Sequence, residues 1–158
     1  ILFGAVNNIA QLERVRGFVD RLPDHAKLEL GGGDPVANGG YFHEATILSG
    51  LKQSDEHIQD EIFGPVLSVL TFRTAEEAIA KANNTPYGLS AGIWTEKASR
   101  MLAIADKLRA GVIWANTFNK FDPASPFGGY QESGYGREGG RHGLAAYLEG
   151  GSWKGGAK

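Results

Sequence analysis

The chain has 158 residues, of which 42% are apolar and 22% are charged, close to the averages for soluble globular domains. Its formal net charge of −2 offers no basic surface of the kind that nucleic acid or an anionic membrane requires. It has no cysteine and no apolar run near the roughly 18 residues of a membrane span, which excludes disulfides and a membrane helix and leaves the cytoplasm as the default location.

The first predicted element is a helix close to the N-terminus. Asn8 and Gln11 have the spacing of a capping pair, and Pro23 ends the helix. Apolar residues follow at helical spacing, namely Ile9, Leu12, Val15, Val19 and Leu22. Residues 27–30 and 42–48 then predict one or two strands on either side of a glycine turn.

A regular alternation of strand and helix patterns begins near residue 65. Residues 66–72 form a nearly continuous apolar run, which is typical of a strand covered on both faces. The helix, strand, helix and strand that follow are predicted to open near Thr74, Leu89, Thr95 and Val112. Such short connections predict two right-handed crossovers and a parallel sheet, so the predicted fold class is α/β.

An acidic and an aromatic residue stand just before the first strong strand. The Glu61 carboxylate could accept hydrogen bonds from both hydroxyls of a ribose, because an ionised glutamate is an acceptor with two oxygens. The ring of Phe63 offers a flat apolar face to a nicotinamide. The alternative is an exposed surface carboxylate beside a core phenylalanine, and composition alone favours that alternative.

A long loop follows Asn116 and leads to a short helix predicted at residues 140–148. The loop contains three aromatic rings, those of Phe118, Phe121 and Phe127. Ligands of parallel sheets bind outside the carboxyl ends of the strands, so these rings are placed to form a substrate wall. Burial of the rings in the core is the alternative, and the sequence favours neither.

Residues 134–139 (GYGREG) match the G-x-G-x-x-G fingerprint of dinucleotide-binding folds. That fingerprint needs a strand before it, whereas residues 126–133 have the composition of a loop, so we interpret these glycines as structural. No histidine has further ligands at metal-binding spacing, and no serine lies in a nucleophile elbow. Neither a metal site nor a serine triad is predicted.

Several strings together resemble the aldehyde dehydrogenase superfamily, in the order in which that family has them. They are residues 4–7 (GAVN), 39–42 (GGYF), 61–66 (EIFGPV), 82–89 (ANNTPYGL), 110–116 (AGVIWAN) and 126–138 (PFGGYQESGYGRE). The resemblance implies that residues 1–149 form the C-terminal portion of the catalytic domain. Residues 150–158 would be a glycine-rich tail.

The resemblance also implies an activity and its site residues. The complete enzyme would oxidise a small-molecule aldehyde to a carboxylic acid with NAD or NADP as cofactor. Glu61 would bind the nicotinamide ribose and Phe63 would pack beside the nicotinamide. The substrate tunnel would be lined by Phe118, Phe121 and Phe127, with Asn116 shaping its base. Such an aromatic wall favours an apolar or aromatic aldehyde.

The chain departs from the family in lacking the nucleophilic cysteine. That cysteine and the general-base glutamate are expected upstream, and a chain that opens at Ile1 without methionine is expected to be a piece of a longer polypeptide. Alone it is expected to be inactive. Family members usually end in an alternating apolar strand that pairs with a partner, and residues 150–156 have no such alternation. A homo-oligomer is therefore an expectation for the complete enzyme only.

Two alternatives follow from the same residues. The first is a non-catalytic binding or assembly module derived from the fold. The second is an acyl-transferring or phosphate-reducing relative on the same scaffold, which the surroundings of the missing cysteine would decide.

Overall fold

The computed structural model describes residues 4–33 and 39–149, which divide into a first unit that ends at Phe72 and a second that begins at Arg73. The predicted tail at residues 150–158 lies outside the described residues.

The first unit combines two helices with a three-stranded sheet. Its elements are α1 (Ile9–Asp20), β1 (Lys27–Leu30), β2 (Thr46–Ser49), α2 (Glu56–Gln59) and β3 (Val66–Ser68). The strand order is β1-β2-β3, with β1 antiparallel and β3 parallel to the central β2. The pair β2 and β3, with α2 between them in sequence, is a parallel crossover that the sequence pattern did not predict.

Helix α1 forms as its sequence predicts. The side chain of Asn8 accepts a hydrogen bond from the backbone N–H of Gln11 at 2.9 Å, which satisfies one of the donors exposed at the helix start. Leu12 and Val15 are buried, as the apolar stripe indicates. The third buried residue of the helix is Phe18, and Ile9 of the predicted stripe is exposed. The core of this unit therefore forms between Val15, Phe18 and Ile62.

The second unit contains a two-stranded parallel sheet. Its elements are α3 (Ala75–Asn83), β4 (Ser90–Ile93), α4 (Ala98–Ala105), β5 (Val112–Ala115), a 3₁₀ turn (Gln131–Ser133) and α5 (Gly140–Ala145). The register pairs Ser90 with Val112 and Ile93 with Ala115, so the carboxyl ends of the two strands lie side by side.

The α/β class and the β4-α4-β5 crossover are confirmed. The predicted pairing of the strand at residues 66–72 with β4 is wrong, because β3 belongs to the sheet of β1 and β2. That strand is also not covered on both faces, since the side chain of Leu67 is 59% exposed. Among the described residues, no helix has both the length and the apolar character needed to cross a bilayer.

Candidate functional site

Residues 61–63 are held against α1 by side chains of that helix. The Nε2 of Gln11 donates to the carbonyl oxygens of Ile62 at 2.9 Å and of Phe63 at 2.8 Å. One turn further along, Nη2 of Arg14 donates to the carbonyl oxygen of Glu61 at 2.9 Å. Residues three apart lie on the same face of a helix, so α1 binds the backbone of the motif along one line.

The two apolar side chains of the motif differ sharply in their exposure. Ile62 is 8% exposed and joins the core with Val15, whereas Phe63 is 73% exposed. Phe63 has a φ of +54°, in the left-handed region that residues other than glycine rarely adopt. The core position therefore belongs to Ile62, and the predicted alternative of a core phenylalanine at residue 63 is wrong.

Gly64 allows this turn to lie directly on the helix. A Cβ at Gly64 would come within 2.4 Å of Cγ2 of Val15, a separation that side chains do not tolerate. An open cleft of about 550 Å³ is lined by Gln11, by residues 63–65 and by residues 4–8. Glu61 is exposed as well, so the motif presents a carboxylate and an aromatic ring to solvent.

Helix α2, which precedes the motif, is also fastened to α1. Nε2 of the buried His57 lies 2.7 Å from the carbonyl oxygen of Phe18, and the two rings meet edge to face with centroids 5.7 Å apart. Arg21 forms a forked pair with Glu56, at 2.9 and 3.1 Å. Hydrogen bonding to that guanidinium lowers the pKa of Glu56 below its ordinary value. His57 thus serves the packing of the helices.

The predicted substrate residues of the second unit gather around one buried indole. Trp114 on β5 is 7% exposed. The ring centroids of Phe118, Phe121 and Phe127 lie 4.7, 5.4 and 6.5 Å from that of Trp114, and Phe121 meets Phe127 edge to face at 5.0 Å. Phe118 and Phe121 remain 49% and 59% exposed. Phe118 and Phe121 therefore each have one side packed on the cluster and another turned to solvent, so these two rings are not buried in the core.

The loop after β5 is shaped by Trp114 as well as by its own aromatic residues. Nε1 of Trp114 donates to the carbonyl oxygen of Lys120 at 3.0 Å, which draws the loop back over the indole. Phe127 exchanges two backbone hydrogen bonds with Glu138, both at 2.7 Å. The loop is consequently closed at its far end before α5 begins.

Asn116, the predicted base of the tunnel, binds backbone with its side chain. Its Oδ1 accepts from the N–H of Thr95 at 2.8 Å and its Nδ2 donates to the carbonyl oxygen of Thr95 at 3.0 Å. Helix α4 accordingly starts at Ala98, and the prediction that it opens near Thr95 is wrong, because Asn116 holds Thr95 beside the end of the sheet. The observed role of the Asn116 side chain is therefore to fix the backbone at Thr95.

The glycine-rich string at residues 126–138 is hydrogen-bonded to the segment that precedes β4. The N–H of Gly88, which precedes β4, donates to Oγ of Ser133 at 3.0 Å. Nη1 of Arg137 donates to the carbonyl oxygens of Gly129 and Gly136 at 2.7 and 2.9 Å, and the guanidinium lies 5.0 Å from the ring centroid of Tyr130. A 3₁₀ turn, and no strand, precedes the G-x-G-x-x-G string, which agrees with its interpretation as structural.

The structure gives three residues contacts with the predicted site that the sequence pattern did not indicate. Gln11, Arg14 and Trp114 organise the predicted site residues, and each does so through a backbone contact distant in sequence or through ring packing. Helical spacing places Gln11 and Arg14 on one face, but nothing local shows what that face meets. Within residues 4–33 and 39–149, no group of three or more histidine and carboxylate side chains is arranged to hold a metal ion.

Comparison with known proteins identifies relatives along nearly the whole chain. The sequence profile described as the aldehyde dehydrogenase family matches residues 1–151. Betaine aldehyde dehydrogenase of Bacillus subtilis is 42% identical over 131 residues, which are 81% of this chain and 27% of that protein. The mitochondrial aldehyde dehydrogenase family 2 member B4 of Arabidopsis thaliana is 42% identical over 143 residues, covering 90% and 26% of the two chains.

Solved structures agree with the sequence comparison. The NAD⁺ complex of an aldehyde dehydrogenase from Bacillus cereus superposes with a TM-score of 0.86 at 38% identity, over 90% of this chain and 29% of that one. The chain thus spans less than a third of the length of the relatives that it matches.

Proposed function

This chain belongs to the aldehyde dehydrogenase family, and from that membership we propose that it forms the C-terminal portion of the catalytic domain of an NAD(P)-dependent enzyme. The enzyme oxidises an aldehyde to a carboxylic acid. Within it, residues 1–149 carry the nicotinamide-binding motif and the substrate wall, while residues 150–158 are a tail.

The observation that carries the proposal is the exposed ring of Phe63. Burying an aromatic side chain is favourable, and a left-handed backbone is costly for phenylalanine, so an exposed ring on such a backbone needs another reason. A planar ligand lying on the ring supplies it. We assign that ligand as the nicotinamide of NAD or NADP, which accepts a hydride from the substrate when it is bound.

Glu61 suits the sugar next to that ring. Its side chain is exposed and its backbone carbonyl is already bound by Arg14, so the peptide is fixed while the carboxylate stays accessible. Two carboxylate oxygens can accept from the two hydroxyls of one ribose. Glu61 and Phe63 then bind adjacent parts of the cofactor, the ribose and the nicotinamide respectively.

The substrate wall is assigned to Phe118, Phe121 and Phe127. The packed sides of these rings are fixed by Trp114, so their other sides form a rigid apolar surface. Asn116 acts beneath them through the backbone that it holds. Such a wall stabilises an apolar or aromatic aldehyde, because removing apolar surface from water contributes about 25 cal/mol per Å².

The attacking group has to come from residues outside this chain, because the sequence contains no cysteine. In the proposed reaction an external thiolate adds to the aldehyde, hydride leaves for the nicotinamide, and a general-base carboxylate activates water to release the acid. The cytoplasm is the proposed location, although relatives include mitochondrial enzymes, and a homo-oligomer is proposed only for the complete enzyme.

Cofactor binding can be tested with nicotinamide mononucleotide, which carries only the ribose and nicotinamide. Saturation-transfer NMR should show contact with its ring protons in the wild-type protein and a clear loss in Phe63→Ala. Phe72→Ala is the matched control, because Phe72 is also exposed, at 61%, in the same unit. Absence of transfer to a folded wild-type protein, or an equal loss in both variants, would support the non-catalytic module instead.

Turnover is tested after the intact mass is known. A protein of 16.9 kDa, the mass of this chain, should form no NADH or NADPH with any aldehyde. A heavier protein that contains a cysteine should reduce NAD or NADP, faster with benzaldehyde than with a charged semialdehyde. Reversal of that preference would refute the apolar substrate assignment and leave the cofactor assignment intact.

A further inference from the structure

The carboxamide of Gln11 meets two consecutive carbonyl groups at a single nitrogen. Successive carbonyls of an extended strand point in opposite directions, so one donor group cannot serve both. Here both point to Nε2 of Gln11, at 2.9 Å for Ile62 and 2.8 Å for Phe63. A carboxamide nitrogen has two hydrogens, one for each of these oxygens. The left-handed φ of Phe63 lies between the two carbonyls and is what turns them to the same side.

We infer that Gln11 is a positioning residue for cofactor binding, which keeps Phe63 in the left-handed conformation that presents its ring to the nicotinamide. The inference rests on the proposed function. The observation behind the inference, the two hydrogen bonds of Gln11, is independent of the proposed function, because these bonds are present whether or not a nucleotide binds.

The role requires a donor with two hydrogens on a helix that is packed into the core. Helix α1 meets that condition, because Val15 and Phe18 anchor it in the core. The backbone N–H of Gln11 is bound by Asn8, so a change of the Gln11 side chain leaves the helix cap intact. Arg14 holds only the preceding carbonyl, that of Glu61, and cannot replace Gln11 at Phe63.

The test uses the purified protein and three variants. Gln11→Met has a similar length without donors, and Gln11→Glu places a carboxylate against the two carbonyl oxygens. Glu13→Gln is the control, an exchange of equal size at an exposed position of the same helix. The Cα and Cβ chemical shifts of Phe63 report its backbone conformation, nicotinamide mononucleotide titration gives the Kd, and the thermal midpoint confirms folding.

We expect both Gln11 variants to move the Phe63 shifts out of the left-handed range and to raise the Kd about fivefold to tenfold, the effect of losing one or two hydrogen bonds. Glu13→Gln should change neither. A merely structural role would lower the thermal midpoint while leaving the Phe63 shifts and the Kd of the folded protein unchanged, and that result would overturn the inference. If Gln11→Glu does not fold, Gln11→Met decides.

The outcome separates this inference from the proposed function. If the wild-type protein binds no nucleotide, the proposed cofactor site fails, while the Phe63 shifts still test whether Gln11 sets the conformation. If the wild type binds and the Gln11→Met variant binds equally well, the positioning role fails and the cofactor site stands.

Discussion

The side chain of Asn116 pairs with both backbone polar groups of Thr95, accepting from its N–H at 2.8 Å and donating to its carbonyl oxygen at 3.0 Å. In doing so it continues the ladder between β4 and β5, whose last residues are Ile93 and Ala115. The carboxamide makes the hydrogen bonds that the next residue of β5 would make if the strand continued. The backbone itself leaves the sheet at Asn116, whose φ is +52°. Asn116 therefore lies where the sheet ends and the aromatic loop begins, and its pairing with Thr95 keeps α4 from beginning before Ala98.

Replacing Asn116 should reveal the strength of this pairing. Asn116→Ala removes both hydrogen bonds, and we expect the free energy of unfolding to fall by about 1–3 kcal/mol. Asn119→Ala is the control, because Asn119 is also exposed and has nearly the same φ, +54°. Alanine therefore introduces a similar backbone strain in both variants, and the difference between them reports the hydrogen bonds. Urea unfolding followed by tryptophan fluorescence measures both. An equal loss in the two variants would show that the pairing contributes nothing beyond the backbone conformation.

A second prediction concerns the close approach of Gly111 to residue 128. A Cβ at Gly111 would lie 1.7 Å from the carbonyl oxygen of Gly128, so alanine must push the glycine-rich string away from the start of β5. We expect Gly111→Ala to destabilise the protein by about 2–3 kcal/mol. At Gly136 a Cβ would meet nothing within 4 Å, and Gly136→Ala should change stability by no more than about 0.5 kcal/mol. Thermal unfolding of the two variants checks the difference.

Phe63→Gly should separate stability from binding. Glycine adopts a positive φ without strain, so the free energy of unfolding should rise by up to about 1 kcal/mol after its own entropy cost. Loss of the ring should at the same time weaken binding of nicotinamide mononucleotide. The matched Phe72→Gly variant lacks the positive φ and should lose stability instead. A large loss of stability in Phe63→Gly would show that the ring packs against the protein.

The pH dependence of stability should reflect Asp55. Its carboxylate accepts from the backbone N–H of Lys52 at 2.7 Å and lies 2.9 Å from Nε2 of His25. The Lys52 bond first, and then His25, lower the pKa of Asp55 below its ordinary value of 3.8. A lowered pKa contributes stability that is present above 3.8 and is lost as the pH falls through the folded value.

The comparison is between the wild type and Asp55→Asn, which resembles the protonated acid. At about pH 6 the variant should have a lower thermal midpoint than the wild type. This difference in thermal midpoint should disappear as the pH falls below the ordinary pKa of an aspartate. The exposed Asp24, changed to asparagine, serves as the control. A difference in thermal midpoint that stays constant with pH would show that the charge of Asp55 does not contribute to stability.

Prediction from sequence succeeded where the determining contacts are local. The Asn8 cap, the stripe of α1 and the β4-α4-β5 crossover follow from residue spacing alone, and the family strings identified the relatives. It failed for the strand at residues 66–72, whose partner β2 lies about twenty residues earlier in the chain. An apolar run shows that a strand forms, but neither which strand pairs with it nor how many of its side chains are covered.

The same division holds for the candidate site. The sequence by itself determined which side chains are available for the predicted chemistry, a carboxylate and aromatic rings without a thiol, because these are properties of the side chains. Only the tertiary structure decided that Ile62 enters the core while Phe63 turns outward. The physical reason is that Gln11, distant in sequence, binds two carbonyls that converge only when Phe63 is left-handed, and no local pattern encodes that contact.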